Sequence, residues 1–286
     1  IDEYGKDENA QINITNSMWV NSDKLTSADI NSEFVNLIKN KYNGVSESVS
    51  LSEAQSKVDL WIKEATKGEI DTVPVSEDFL VQLINATYFK GEWENKFDKK
   101  NNVNDVFTDI QGNESNVEYM NKKINSLYYE DNSVKMISLP YKSNDNDISM
   151  YIALSDKADM KFEEYIDKMY VNNVDLYLPK FQPDYKISIK ELLLNMGIKT
   201  VFTYSADLSN MINGENAFVS DIEHRSKIKI DEEGTVASAY TSVLVEATSV
   251  SPQYYTEFRV NKPFTFFIRD NTNNEILFMG RCNYIK

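Results

Sequence analysis

Residues 227–249 read Lys-Ile-Lys-Ile-Asp-Glu-Glu-Gly-Thr-Val-Ala-Ser-Ala-Tyr-Thr-Ser-Val-Leu-Val-Glu-Ala-Thr-Ser, and the fold turns on this stretch. It begins as an alternating strand, breaks at Asp231-Glu232-Glu233-Gly234, and continues in small and β-branched residues. Strand side chains project to alternate faces. Thr235, Ala237, Ala239, Thr241, Val243, Val245 and Ala247 therefore share one face, which carries neither charge nor bulk. The other face holds Val236, Ser238, Tyr240, Ser242, Leu244, Glu246 and Thr248, with the large and charged members. Such a segment suits a tight buried slot. It also follows a glycine hinge and ends in the polar run Thr248-Ser249-Val250-Ser251-Pro252-Gln253, which has loop chemistry. A segment fit both for an exposed loop and for a central strand points to a switch. The plain alternative is an ordinary strand of small residues after a Glu-Glu-Gly turn.

The surrounding sequence decides between them. Downstream lie Glu257-Phe-Arg-Val-Asn261-Lys262-Pro263-Phe264, then Phe267-Ile268-Arg269, then Ile276-Leu277-Phe278-Met279-Gly280-Arg281. Upstream lie Asn85-Ala-Thr-Tyr-Phe89-Lys90-Gly91-Glu-Trp93, Leu178-Pro179-Lys180-Phe181, Leu194-Asn-Met-Gly197-Ile198, Phe202 and Ala206-Asp207-Leu208-Ser209. Together with Glu232-Glu233-Gly234-Thr235, these stretches run in one order along nearly the whole chain, and the sequence resembles the serpin family.

The resemblance implies an α+β serpin fold: a large mixed central β-sheet, further sheets, surrounding helices, and a mobile reactive-centre loop near the C-terminus. It makes residues 1–286 a single serpin domain with the loop at about 233–256. The hinge would comprise Glu232, Glu233, Gly234, Thr235, Val236, Ala237, Ser238 and Ala239. His224 and Asn85 fall where a histidine and an asparagine hydrogen-bond beneath the opening of the main sheet. Trp93 falls at the top of that sheet, where the loop first enters. Two hinge positions depart from the family: Tyr240 stands where a small residue is usual, and Val236 where an acidic one is common. Both project to the even face, away from the tight side.

The implied activity is inhibition of a serine protease as a suicide substrate, through a covalent acyl-enzyme whose cleaved loop inserts into the sheet. Counting forward from Gly234 in the family's usual way puts the reactive bond at Thr248–Ser249, with Ala247 and Ser249 as rival positions for its first residue. A small uncharged residue there suits an elastase- or subtilisin-like target. The stretch 239–253 contains no Lys or Arg, which argues against a trypsin-like one. A non-inhibitory serpin (carrier, chaperone or storage protein) and a cross-class inhibitor of cysteine proteases are the alternatives.

Composition narrows the classes independently. The 286 residues carry a net charge of −15, which lacks the clustered basic charge of a nucleic-acid partner. No apolar run approaches the ~18–20 residues that span a bilayer. The one cysteine, Cys282, excludes an internal disulfide and a cysteine-rich metal site, and its apolar surroundings predict a buried, inert thiol. The one histidine, His224, has no Gly-x-Ser-x-Gly elbow to serve, so no enzyme activity is expected. Neither zinc spacing nor a calcium loop is present, since Asn144-Asp145-Asn146-Asp147 lacks the glycine and distal Glu of an EF-hand. No metal, cofactor, nucleic acid or membrane is expected, and the protein is read as a monomer. The acceptor patterns Asn13-Ile-Thr15, Asn85-Ala-Thr87 and Asn113-Glu-Ser115 fit N-glycosylation. A secreted location is expected, although no signal peptide is visible.

Along the chain, 10–20 reads as a strand, and Ser27-Ala28-Asp29 as the cap of a helix bearing Ile30, Phe34, Leu37 and Ile38, ended by Gly44. Val45–Leu51 reads as a strand, and a second helix opened by Ser52-Glu53 stops at Lys67-Gly68. The apolar run 79–89 suits a central strand covered on both faces. Short strands follow at Val106-Phe107, 117–120, 125–129, 135–139, 148–154 and 174–178, with helices around Phe162–Met169 and Ser188–Met196. Arg225–Ile230 is the strand feeding the hinge. The resemblance also implies several helices and a strand before Ile12, which are not found in this sequence. Because it begins with Ile1, the sequence reads as a portion or processed form of something longer. Unless a partner or a further segment supplies that layer, the back of the sheet is expected to expose apolar surface.

Overall fold

A computed structural model describes residues 9–144, 147–156, 160–235 and 254–285. In chain order the elements begin β1 (Ala10–Asn21), β2 (Asp29–Ile30), α1 (Ser32–Tyr42), β3 (Gly44–Val49), α2 (Leu51–Ala65) and β4 (Val81–Glu92). They continue with β5 (Val103–Thr108), β6 (Glu114–Glu130), β7 (Val134–Pro140), β8 (Ile148–Ser155) and α3 (Glu163–Ile166). Next come β9 (Tyr170–Pro179), β10 (Asp184–Ser188), α4 (Lys190–Asn195), β11 (Ile212–Asn213), β12 (Val219–Lys227), β13 (Ile230–Asp231) and β14 (Gly234–Thr235). The chain closes with β15 (Thr256–Arg259), β16 (Phe264–Asp270) and β17 (Glu275–Cys282). The mixture of sheets and few helices bears out the α+β expectation. Packing divides the chain into two units, one of Asn13–Tyr88 and Asp184–Lys227, the other of the described parts of Asp2–Ile12, Phe89–Pro183 and Ile228–Lys286.

In the first unit the strands lie in the order β10-β12-β4-β1-β3. β12 runs parallel to β4, with Val219 opposite Val81 and Lys227 opposite Tyr88. Ala54, Val58 and Ile62 recur every fourth residue on α2, which gives the helix one apolar stripe. That stripe packs on Trp19, Ile84 and Ala86 of the sheet. Burying Val58 and Ile62 stabilises by about 1.5–3 kcal/mol each. The opposite sheet face is covered at one end, where Met18, Val20 and Val81 meet Leu25, Ile212 and Ala217. Elsewhere on it Tyr185 and Ile187 are exposed. The expected cover on both faces of β4 is therefore only partial, and the expected apolar exposure is present.

Three local expectations are corrected here. The cap of α1 is Asn31, whose Oδ1 accepts from Glu33 N at 2.8 Å, and not Ser27–Asp29. Asp29 and Ile30 are drawn into an extended pairing with Asn213 and Ile212, so neither can enter the helix. The helix ends on left-handed Asn43 (φ 48°), and Gly44 opens β3 instead. Similarly, α4 starts only at Lys190, because Ser188 closes β10 in register with Glu223.

The second unit is built on a sheet of order β15-β9-β6-β7-β8-β16-β17, with β5 also paired to β6. The two strands expected at 117–120 and 125–129 are one 17-residue strand, β6. It stays extended because its start pairs with β5, its middle with β9 and its end with β7. The helix expected around Phe162–Met169 contracts to α3, yet Phe162, Tyr165, Ile166 and Met169 still pack around Phe267 and Tyr151. Cys282 is buried as a free thiol, and burial pushes its pKa up to about 11, as expected of an inert thiol. Among the described residues, no helix is long and apolar enough to cross a membrane.

Candidate functional site

The described residues expected to open the hinge, Glu232 to Thr235, lie in the second unit and take part in a hairpin. β13 turns through Glu232 and Glu233 into β14, which pairs back as Ile230 with Thr235 and Asp231 with Gly234. The same two residues of β14 pair antiparallel with the end of β4, Gly234 with Glu92 and Thr235 with Gly91. Gly234 has φ +145°, and a Cβ there would stand 2.0 Å from the Gly91 carbonyl oxygen. At Gly91 a Cβ would stand 2.7 Å from the rings of both Phe89 and Tyr141. Glycine at 234 is thus what lets the rung approach Gly91, and glycine at 91 leaves room for the Phe89 and Tyr141 rings.

Trp93 and Phe97 hold the hinge carbonyls. The Trp93 indole donates to Asp231 O at 2.9 Å, and its backbone N–H donates to Glu233 O at 2.9 Å. Phe97 N–H donates to Glu232 O at 2.9 Å. The indole is stacked on Tyr141, with centroids 4.6 Å apart and planes 11° apart. Tyr141 in turn meets buried Thr235, hydroxyl to hydroxyl at 2.8 Å.

Charge pairs complete the clamp. Glu232 is 2% exposed, bonded to Lys180 Nζ at 2.7 Å and Asn102 Nδ2 at 2.5 Å. Lys180 also reaches Glu118 at 2.7 Å. Lys96 lies between Glu233 at 2.9 Å and Glu92 at 3.3 Å. Burial opposes ionisation of Glu232, but the bonds from Lys180 and Asn102 outweigh it and hold the carboxyl below the ordinary glutamate range. For Lys180 and Lys96 burial opposes the charge, and the facing carboxylates outweigh it, holding both ammoniums above the ordinary lysine range.

The pair expected beneath the sheet opening is found in the first unit, where His224 on β12 stands opposite Asn85 on β4. His224 Nδ1 is 2.9 Å from Asn85 Oδ1, and Asn85 Nδ2 donates to Asn16 Oδ1 at 2.8 Å. With the amide nitrogen committed to Asn16, Asn85 offers its oxygen, so His224 Nδ1 carries the proton. Burial lowers the His224 pKa. An Asn85 side chain used in this way has no free amide to offer a glycan.

Of the sequence-expected residues, Glu232, Glu233, Gly234, Thr235 and Trp93 come together, and Asn85 and His224 form their own pair. Val236, Ala237, Ser238, Ala239 and the reactive bond Thr248–Ser249 lie outside the described residues. Sequence reasoning assigned no role to Lys96, Asn102, Glu118, Tyr141 or Asn16. Lys180 stood in a motif, but nothing in the motif pointed to Glu232.

Comparison with known proteins follows the same lines. The family model described as Serpin (serine protease inhibitor) matches residues 1–285. Human Serpin B4 is 34% identical over 272 residues, covering 87% of this chain and 69% of that protein. The leukocyte elastase inhibitor of Xenopus laevis is 30% identical, covering 87% of this chain and 71% of that protein. Native tengpin, a thermophilic serpin of known structure, aligns with TM-score 0.84 at 29% identity, covering 99% of this chain and 76% of that one. The chain spans between 62% and 71% of the curated relatives' own lengths.

Proposed function

The chain belongs to the serpin family, and on that premise we propose that it inhibits serine proteases as a suicide substrate. Residues 1–286 act as one domain, a secreted monomer, whose loop 233–256 is offered to the protease. The protease serine attacks the carbonyl carbon of Thr248, and the new α-amine of Ser249 leaves after taking a proton, which makes an ester-linked acyl-enzyme. Residues 235–248 then insert as a strand between β4 and the strand that feeds the hinge. Roughly 14 residues at ~3.3 Å each carry the tethered protease about 45 Å. Loop insertion in serpins is itself a standing instance of strain stored in a native fold and released on cleavage. The protein supplies no catalytic residue; it supplies the bond and the trap.

The observation that carries this reading is the rung of Gly234 and Thr235 on Glu92 and Gly91. Gly234 and Thr235, near the start of the loop, already lie as a strand beside β4, so insertion extends an existing ladder instead of nucleating one. An elastase- or subtilisin-like target is favoured by the uncharged Thr248, and a relative named as an elastase inhibitor points the same way. The trap acts on any acyl-enzyme, so cysteine proteases fall within its chemistry.

Incubation with elastase, subtilisin, trypsin, chymotrypsin and a papain-like enzyme, read by denaturing gel and mass spectrometry, tests it. A protease-linked band that survives boiling, with a released peptide beginning at Ser249, is expected. The Ala237→Arg variant is expected to be cleaved without trapping. Clean cleavage of the parent with no linked band and no gain in thermal stability would favour a non-inhibitory carrier, chaperone or storage serpin. Tyr240, bulky where the family is usually small, is the residue that gives that second reading its footing.

A further inference from the structure

The second unit contains a cleft of about 400 Å³ beside the hinge clamp. That volume lies within the range of small-molecule sites, which are mostly apolar with a few convergent polar groups. Trp93 and Phe97 form part of its wall, and Ile124, Leu127 and Val171 form another part. Leu127 and Val171 are 40% and 62% exposed, so the apolar wall is open to a ligand.

Lys122 lines the same cleft. Its Nζ donates to Lys96 O at 2.6 Å. An ammonium has three donors and that bond uses one. Burial holds Lys122 below the ordinary lysine range, and among the described residues no carboxylate pairs with it to offset the loss of water. A half-buried cation that no described carboxylate pairs with, in a cleft lined by both apolar and polar side chains, is complementary to one negative charge on a partly apolar body. Glu94 and Asp147 also line the cleft and disfavour ligands with several negative charges.

We propose that this cleft binds a small amphipathic monocarboxylic acid, with its carboxylate on the Lys122 ammonium and its apolar body against the exposed aliphatic wall of Leu127 and Val171, over the buried edges of Trp93 and Phe97. The wall is also the clamp. Trp93 N–H and Phe97 N–H hold the carbonyls of Glu233 and Glu232, and Lys122 is bonded to the backbone of Lys96, whose side chain holds Glu233. A ligand that orders Trp93 and Phe97 therefore binds the paired hinge better than the released one and shifts the balance toward pairing. If the inhibitory reading holds, the acid is an effector that slows hinge release; the binding itself does not depend on that reading.

The test is calorimetric titration of the intact chain with 2-naphthylacetic acid and with its methyl ester, so no protease is involved. One-to-one binding is expected, with the acid at least tenfold tighter than the ester. The Lys122→Gln variant should lose that preference while still binding the ester, and Lys122→Arg should keep it. Equal affinity of acid and ester, a preference that survives in Lys122→Gln, or no binding of either would overturn the site. Saturating acid should also slow amide hydrogen exchange at Trp93 and Phe97 severalfold. Unchanged exchange at both amides with the acid bound would overturn the coupling to the hinge.

Discussion

Thr235 and Tyr141 meet hydroxyl to hydroxyl at 2.8 Å in a site closed to solvent, and each is the other's hydrogen-bond partner there. The contact ties the second residue of the β14 rung to the ring on which Trp93 is stacked. Backbone pairing, aromatic stacking and a buried polar bond thus converge on two hinge residues, and the rung is held by more than its ladder.

Replacing Thr235 by Val keeps the shape and strands the Tyr141 hydroxyl. A buried donor left unsatisfied costs about 1–3 kcal/mol. The expected loss in urea denaturation is of that size for Thr235→Val, and the Tyr141→Phe change added to it should recover most of the loss. Additive losses in the double variant would show that the two hydroxyls do not interact.

Gly234→Ala attacks the rung from the backbone side. A non-glycine residue at φ +145° costs about 1–3 kcal/mol by itself, and the added methyl group also collides with the Gly91 carbonyl. Lower stability by at least about 2 kcal/mol is expected, together with faster amide exchange at Trp93. A variant as stable as the parent would mean the rung does not form in solution.

Lys180→Met leaves Glu232 buried without a cationic partner among the described residues, the Asn102 bond remaining. Breaking a fully buried pair costs about 3–5 kcal/mol; Lys180 is 31% exposed, so about 1–3 kcal/mol is expected after screening. The Glu232 carboxyl is held below its unfolded value, so its contribution is present above pH ~4.3 and lost as the pH falls through the folded value. The gap between parent and variant should be full at pH 6 and close below pH ~4. A gap independent of pH would point to lost packing of the lysine stem instead.

His224 carries the opposite group with the same sign. Burial depresses its pKa, so folding favours the neutral ring, and stability is lost as the pH falls below the unfolded value of ~6.5. Neighbouring Glu223 is pushed up to about 7, first by burial and then by Asp221, and acts in the reverse direction. The difference between His224→Gln and the parent isolates the histidine: it should be largest at pH 8 and shrink on going to pH 5. A difference that grows toward pH 5 would mean the ring binds its proton more readily folded than unfolded.

The chemistry of the hinge was legible in the chain because strand parity is a local property. The sequence Glu232-Glu233-Gly234-Thr235 announces a turn followed by a small residue on the buried face, and Thr235 is fully buried. The α2 stripe and the closing strands were equally plain, since periods of 3.6 and 2 are written residue by residue. Errors fell where a distant partner overrode local preference. Asp29 and Ile30 have a helix-capping pattern but are claimed by Asn213 and Ile212. The pattern of β6 shows two strands, and three separate partners make it one.

By itself, then, the amino-acid order determined the family, the α+β class, the turn at Glu232-Glu233-Gly234 and the pairing of His224 with Asn85, because each rests on short-range pattern or on ordered motifs. Only the tertiary structure decided which side chains secure the hinge. Lys180, Asn102, Lys96 and Tyr141 acquire their roles by meeting Glu232, Glu233 and Thr235 from remote points of the chain, and Glu118 by meeting Lys180 and Asn102. A charge or hydroxyl has no partner in sequence space; it acquires one when strands from distant segments bring it within hydrogen-bond reach and burial removes the water that would otherwise serve.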